Sequence, residues 1–83
     1  MNSNYRVLAV IVTYNRSNLL VRCLNHIQSQ KVKPDEILVI NNNSTDDTSF
    51  ILEQMKINNI CQENLGSAGG WARGIEYALI NNF

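Results

Sequence analysis

Neither sign of charge prevails in this sequence: seven lysines and arginines offset seven aspartates and glutamates. A nucleic-acid or polyanion partner leaves a basic footprint, and none is present. Long apolar runs are missing too. The longest, residues 7–12, is far too short to span a bilayer. Residues 1–4, Met-Asn-Ser-Asn, carry neither the basic nor the apolar region of a secretory leader. Cysteine is scarce: Cys23 and Cys61 stand far apart and form no C-x-x-C pair. Both are expected to be free, buried thiols of a reducing compartment, without a disulfide or a metal. A cytoplasmic location follows. No proline-, glycine- or serine-rich linker divides the 83 residues, which make one domain at most.

What is present has a simple order. Two short apolar runs rich in β-branched residues, 6–13 (RVLAVIVT) and 36–40 (EILVI), do not alternate apolar with polar. Such runs suit strands buried on both faces, as in a parallel sheet. Between them, Leu19, Leu20, Cys23, Leu24 and Ile27 share one helical face. Asn15 or Ser17 is a candidate cap for that helix, and residues 31–34 end it. Ser44 and Asp47 have capping-box spacing and predict a second helix over 46–55, with Ile51, Leu52 and Met55 inward. A weaker strand is expected over 57–62. A last helix is expected over 71–81, with Ile75, Ala78 and Leu79 inward; Trp71 is expected either to line the site or to fill the core. Tyr77 and Phe83 are assigned to packing, and His26, inside the first helix, to a structural role. Strand and helix thus alternate three times. The fold class is α/β: a three-stranded parallel sheet with flanking helices, half of a doubly wound domain.

Ligands of such sheets bind beyond the carboxyl ends of the strands. Three segments occupy that edge: 13–17, 41–45 and 64–70. In the first, Thr13, Tyr14 and Asn15 offer a hydroxyl, an aromatic face and an amide that suit a flat base; equally, Thr13 and Asn15 suit a turn and a helix cap. In the second, Asn42 can both accept from and donate to a uracil or thymine edge, or else belongs to an asparagine-rich turn. The third holds three of the four glycines, Gly66, Gly69 and Gly70, and Gly74 follows four residues on. It is not a Walker A loop, because Ile75 and Glu76 stand where lysine and serine or threonine belong. The dinucleotide fingerprint belongs after the first strand, where this chain has no glycine. A glycine loop opening onto a helix N-terminus, with Arg73 one turn in, suits a diphosphate or a sugar hydroxyl. A close-packed turn with Arg73 paired to Glu76 accounts for it equally well.

With the three segments in view, the chain resembles the N-terminal part of a family 2 glycosyltransferase of the GT-A fold. The resemblance rests on LAVIVTYNR at 8–16, ILVINNNSTDDT at 37–48 and NLGSAGGWARG at 64–74. The last is similar to the loop of galactofuranosyl- and rhamnosyl-transferase-like members. The resemblance implies that Thr13, Tyr14 and Asn15 line the base pocket and that Gly66, Gly69, Gly70 and Arg73 lie against the nucleotide sugar. Asn42 stands where many members place an aspartate on the base. Asp46 falls in the family's S-x-D pattern, as a ligand or as a helix-starting charge. The implied reaction is transfer of a hexosyl group from a UDP- or dTDP-sugar to a glycan or lipid-linked acceptor with inversion, in bacterial cell-wall or polysaccharide synthesis. Such a role places the parent in the cytoplasm or at the inner face of the membrane.

The resemblance also implies a D-x-D-type motif holding Mg²⁺ or Mn²⁺, and a catalytic carboxylate, both expected beyond Phe83. Residues 1–83 are accordingly expected to be a truncated nucleotide-sugar-binding portion, inactive alone, with no metal site and no catalytic residue. Self-association is expected through the exposed edge of the strand at 7–13. The alternative, from another class, is a small non-catalytic α/β binding or interaction module whose loops serve only as turns. A redox or flavin domain would need a phosphate loop or a C-x-x-C pair, and the sequence has neither.

Overall fold

A computed structural model describes residues 6–63 and 66–83. Residues 1–4, read above for a leader, and Asn64 and Leu65 of the third segment lie outside the described residues. The elements are β1 (Leu8–Thr13), α1 (Ser17–Gln28), β2 (Glu36–Asn41), α2 (Thr48–Gln54), β3 (Asn58–Cys61) and α3 (Gly66–Ile80). The strands form one parallel sheet in the order β1-β2-β3. The expected α/β class and its three-stranded parallel sheet are therefore found. Register aligns Thr13 with Asn41 and Asn41 with Cys61, so the carboxyl ends of all three strands lie level.

Each face of the sheet has its own cover. Ile11, Ile37 and Val39 pack with Leu20 and Leu24 of α1, Leu52 of α2, and Met55 and Ile57. Leu24, Val39 and Leu52 are completely buried, and each such side chain contributes roughly 1.5–3 kcal/mol. The other face presents Val10, Val12, Leu38 and Ile40, which are in register, and α3 lies across it.

α3 corrects the sequence reading most. It begins at Gly66, not near residue 71, so most of the expected glycine loop is helix. Gly66, at φ +75°, makes the left-handed turn into it. A Cβ at Gly70 would lie 2.5 Å from Cγ1 of Val12, and one at Gly74 would lie 2.7 Å from Cγ1 of Val10. These two glycines line the helix face against β1. Close packing there outweighs the roughly 1 kcal/mol that each glycine costs a helix. That line also turns Ile75 and Leu79 away from the sheet, by about one residue's rotation of 100°. They are 61% and 75% exposed, against their expected inward placement, and Trp71, at 50% exposed, does not fill the core. Ala78 is half-buried.

Other departures are smaller. Leu19 is exposed although Leu20 and Leu24 are buried, so it lies outside the core cluster against its expected inward placement. Both cysteines are free, as expected, but exposed rather than buried. Cys23 flanks α1 on the side of Leu19, and Cys61 ends an edge strand. Tyr77 and Phe83 do pack: their rings stack at 6.4 Å, and the Arg6 guanidinium lies 4.2 Å from the Phe83 ring centre. Tyr77 also donates its phenol hydrogen to Glu36.

Candidate functional site at the carboxyl edge of the sheet

The carboxyl edge is built around asparagines. Asn41 is fully buried; its amide nitrogen donates to Ser49 Oγ at 3.0 Å and its Oδ1 accepts from the Ser44 amide at 3.0 Å. Asn42 is 3% exposed. Its backbone N–H donates to the Thr13 carbonyl at 2.9 Å. Its side chain accepts from Gln62 Nε2 at 3.1 Å and donates to the Gly66 carbonyl at 3.3 Å. Asn42 therefore braces the ends of β2 and β3 against the start of α3. Asn43 is exposed and left-handed at φ 56°, a conformation asparagine tolerates better than most residues. Three consecutive asparagines have three different tasks, more than a turn and a cap require.

The segment after β1 is fastened to the segment after β2. Asn15, also left-handed at φ 49°, sends its backbone N–H to Ser44 Oγ at 3.0 Å. Its Oδ1 accepts from the amides of Thr45 at 2.7 Å and Asp46 at 3.3 Å. Its Nδ2 donates to Thr45 Oγ1 at 3.2 Å. In the opposite direction, Asp46 Oδ2 accepts from the Ser17 amide at 3.3 Å, the first residue of α1. Asp46 Oδ1 accepts from the amide and the hydroxyl of Thr48, the first residue of α2. The Thr48 hydroxyl holds the Asp46 carboxyl below the usual value of 3.8; desolvation, the next largest effect, opposes it, and the amides of Thr48 and Ser17 add to the lowering.

Both helices are thus capped differently from the sequence reading. Neither Asn15 nor Ser17 caps α1: its N-cap is Arg16, without a side-chain bond. Ser44 and Asp47 do not form a capping box, and Asp47 makes no cap bond. Asp46 serves both helix N-termini, where the dipoles favour negative charge. The roles of Ser44, Thr45, Thr48 and Gln62 had no signal in the sequence beyond their polarity.

The structure brings Thr13, Tyr14, Asn15, Asn42, Asp46 and Gly66 to one edge. Thr13 is buried and Tyr14 is 44% exposed. Gly69 is half-buried within α3, and Gly70 is buried against Val12, so helix packing accounts for Gly70. Arg73 stands apart. With α3 starting at Gly66, it lies seven residues along, about 10 Å from that end, and it is paired with Glu76. The first turn of α3 holds no acidic residue, so its N-terminus reaches the edge without a side-chain carboxylate of its own.

A divalent cation does not fit these residues. Among the described residues no three His, Cys, Asp or Glu side chains converge, and both Asp46 oxygens are occupied by amide and hydroxyl donors. Among the described residues, no helix is long and apolar enough to cross a membrane.

Comparison with known proteins places the sequence in a family. The model of the family described as "Glycosyl transferase family 2" matches residues 8–79. The chain is 34% identical over 76 residues to galactofuranosyltransferase GlfT1 of Mycolicibacterium smegmatis, covering 88% of this chain and 25% of that protein. It is 31% identical over 74 residues to poly-beta-1,6-N-acetyl-D-glucosamine synthase of Staphylococcus aureus, covering 83% of this chain and 18% of that protein. The chain therefore spans a quarter or less of the length of these curated relatives. No solved structure matches it.

Proposed function

The chain belongs to glycosyl transferase family 2, and from that premise we propose that its carboxyl edge receives the nucleotide of a sugar donor. The donor is a UDP- or dTDP-linked hexose. The parent reaction transfers the hexosyl group, with inversion, to a glycan or lipid-linked acceptor in the cytoplasm or at the inner face of the membrane. One observation carries the donor site: Asn15 fastens the segments after β1 and β2 together and leaves the Tyr14 ring exposed beside their junction. A base stacks on such a ring. The N-terminus of α3 favours a negatively charged diphosphate by its dipole. Asn42 is bonded on both sides of its amide, so in this reading it shapes the pocket floor. A base edge would have to displace Gln62 to reach its Oδ1.

Among the described residues no three His, Cys, Asp or Glu side chains converge. A Mg²⁺ or Mn²⁺ ion in the parent would draw on other ligands, and the chain by itself is inactive in this reading. The test is a titration of UDP and of dTDP followed by amide NMR. The expected result is movement of the Tyr14, Asn15 and Asn43 signals. Unchanged signals at millimolar nucleotide would overturn the proposal.

Self-association belongs to the same reading. β1 pairs with β2 on one edge and, among the described residues, with no strand on the other. A 140 Å³ hollow beside it is lined mainly by apolar residues, among them Ile11, Val12, Leu19 and Leu20, with Thr13 and Arg16 at its polar part. Exposed apolar edges recruit further strands. Light scattering is expected to show a dimer or a larger species; a monodisperse monomer would count against it.

A further inference from the structure

The geometry points to Asp46 as a positioning residue: its carboxylate ties the N-terminus of α1 to that of α2 and thereby sets the gap between the two loops that flank the nucleotide. This inference rests on the donor-site reading above and adds a residue that acts without touching the ligand.

Five bonds made by Asn15, as donor or acceptor, and one from Ser17 cross between the segments after β1 and β2. The Asn15 bonds are neutral. The bond from Ser17 to Asp46 has an ionised acceptor, and charge-assisted bonds are about twice as strong as neutral ones. Asp46 also has no freedom to swing, because Thr48, completely buried, holds its other oxygen through two donors. The carboxylate is thus fixed from the α2 side and presents one aimed oxygen to α1. The Asp46 amide in turn donates to Asn15 Oδ1. Asn15 and Asp46 therefore hold each other's segment. Tyr14 lies next to Asn15 in the chain, so the position of its ring depends on that mutual hold.

Asp46→Asn separates the two links. The amide oxygen can still accept from Thr48, but its NH₂ then faces the Ser17 N–H, donor against donor. The Ser17 and Asn15 amide signals are expected to move while the Thr48 signal stays near its place. UDP binding is expected to weaken about tenfold, the loss of roughly one charge-assisted bond. Ile57→Val, a core change away from this edge, serves as a control for stability: it lowers the melting temperature and should leave UDP affinity unchanged. Should Asp46→Asn fail to fold, the near-isosteric Thr48→Val removes one bond to Oδ1 and should give a smaller loss of the same kind.

Equal loss of affinity in Asp46→Asn and Ile57→Val would overturn the positioning role, as would unmoved Asn15 signals in Asp46→Asn. Absence of UDP and dTDP binding in the unmodified chain would instead sink the donor-site reading. The amide signals would still decide whether Asp46 sets the loops.

Discussion

Gly70 of α3 sits directly over Val12 of β1, so close that a methyl group on Gly70 would come within 2.5 Å of Cγ1. Non-bonded carbons prefer about 3.5–4.0 Å, and valine, branched at Cβ, has little freedom to turn aside. Gly70→Ala and Gly74→Ala should each push the helix off the sheet and destabilise by about 1–3 kcal/mol, the usual cost of overpacking. Urea unfolding checks this. The opposite result, stabilisation of about 1 kcal/mol from better helix propensity, would show that α3 does not lie where the structure places it.

Asn42 is the brace between β2, β3 and α3. Asn42→Ala leaves Gln62 Nε2 and the Gly66 carbonyl each without that partner. A loss of roughly 1–3 kcal/mol is expected. Asn42→Asp keeps an acceptor for Gln62 but sets an oxygen against the Gly66 carbonyl. Burial and that carbonyl would raise the new carboxyl's pKa above its unfolded value. The variant should therefore lose stability as pH rises through the range where the acid ionises. Melting curves at several pH values check the sign.

β1 and β2 were legible because their runs are mainly apolar without alternation, a pattern that suits burial on both faces, whereas β3, with Asn58 and Asn59, carried only a weak signal. The edge that gathers Thr13, Tyr14, Asn15 and Asn42 followed from strand order alone. The start of α3 was not legible. Paired glycines read locally as a loop, and only their contacts with Val10 and Val12, some 60 residues away in the chain, make them helical. The junction of Asn15 with Asp46 was hidden for the same reason: it joins segments separated by 31 residues, and neither segment alone calls for it. Asp46 could be read as a helix-starting charge, but not as one serving two helices.

The glycine line also decides what α3 exposes. Ile75 and Leu79 face away from the sheet, so Ile75→Lys and Leu79→Lys should each change stability by no more than about 0.5 kcal/mol. Placed inward, as helical spacing alone suggested, either lysine would be severely destabilising. Thermal melts of the two variants separate these placements.

Tyr77 fastens α3 to the start of β2 by donating to Glu36. That bond, then desolvation and the charge of Glu36, raise the Tyr77 pKa above 10.0, with Arg6 opposing. Because the folded value is raised, the contribution is fully present below pH 10 and is lost as pH rises through the raised pKa. Tyr77→Phe should thus be less stable than the unmodified chain at neutral pH and no less stable than it in strong alkali, where the phenolate and the Glu36 carboxylate repel. Denaturant midpoints at the two conditions check this.

Tyr14 tests the donor site most directly. Its ring is 44% exposed at the edge and its backbone is anchored through Asn15, so truncating it should leave the fold intact. Tyr14→Ala should weaken UDP binding by about 1–3 kcal/mol, the range for a base stacked on an aromatic side chain. Tyr14→Phe preserves the ring face and should keep most of that affinity. If the phenylalanine variant binds as poorly as the alanine variant, the hydroxyl and not the face makes the contact. The base would then lie edge-on to Tyr14, and the wall fixed by Asn15 and Asp46 would present a hydrogen-bonding group rather than a stacking surface. Titration calorimetry with UDP on the three proteins separates these arrangements, and equal affinity in all three would place the nucleotide elsewhere.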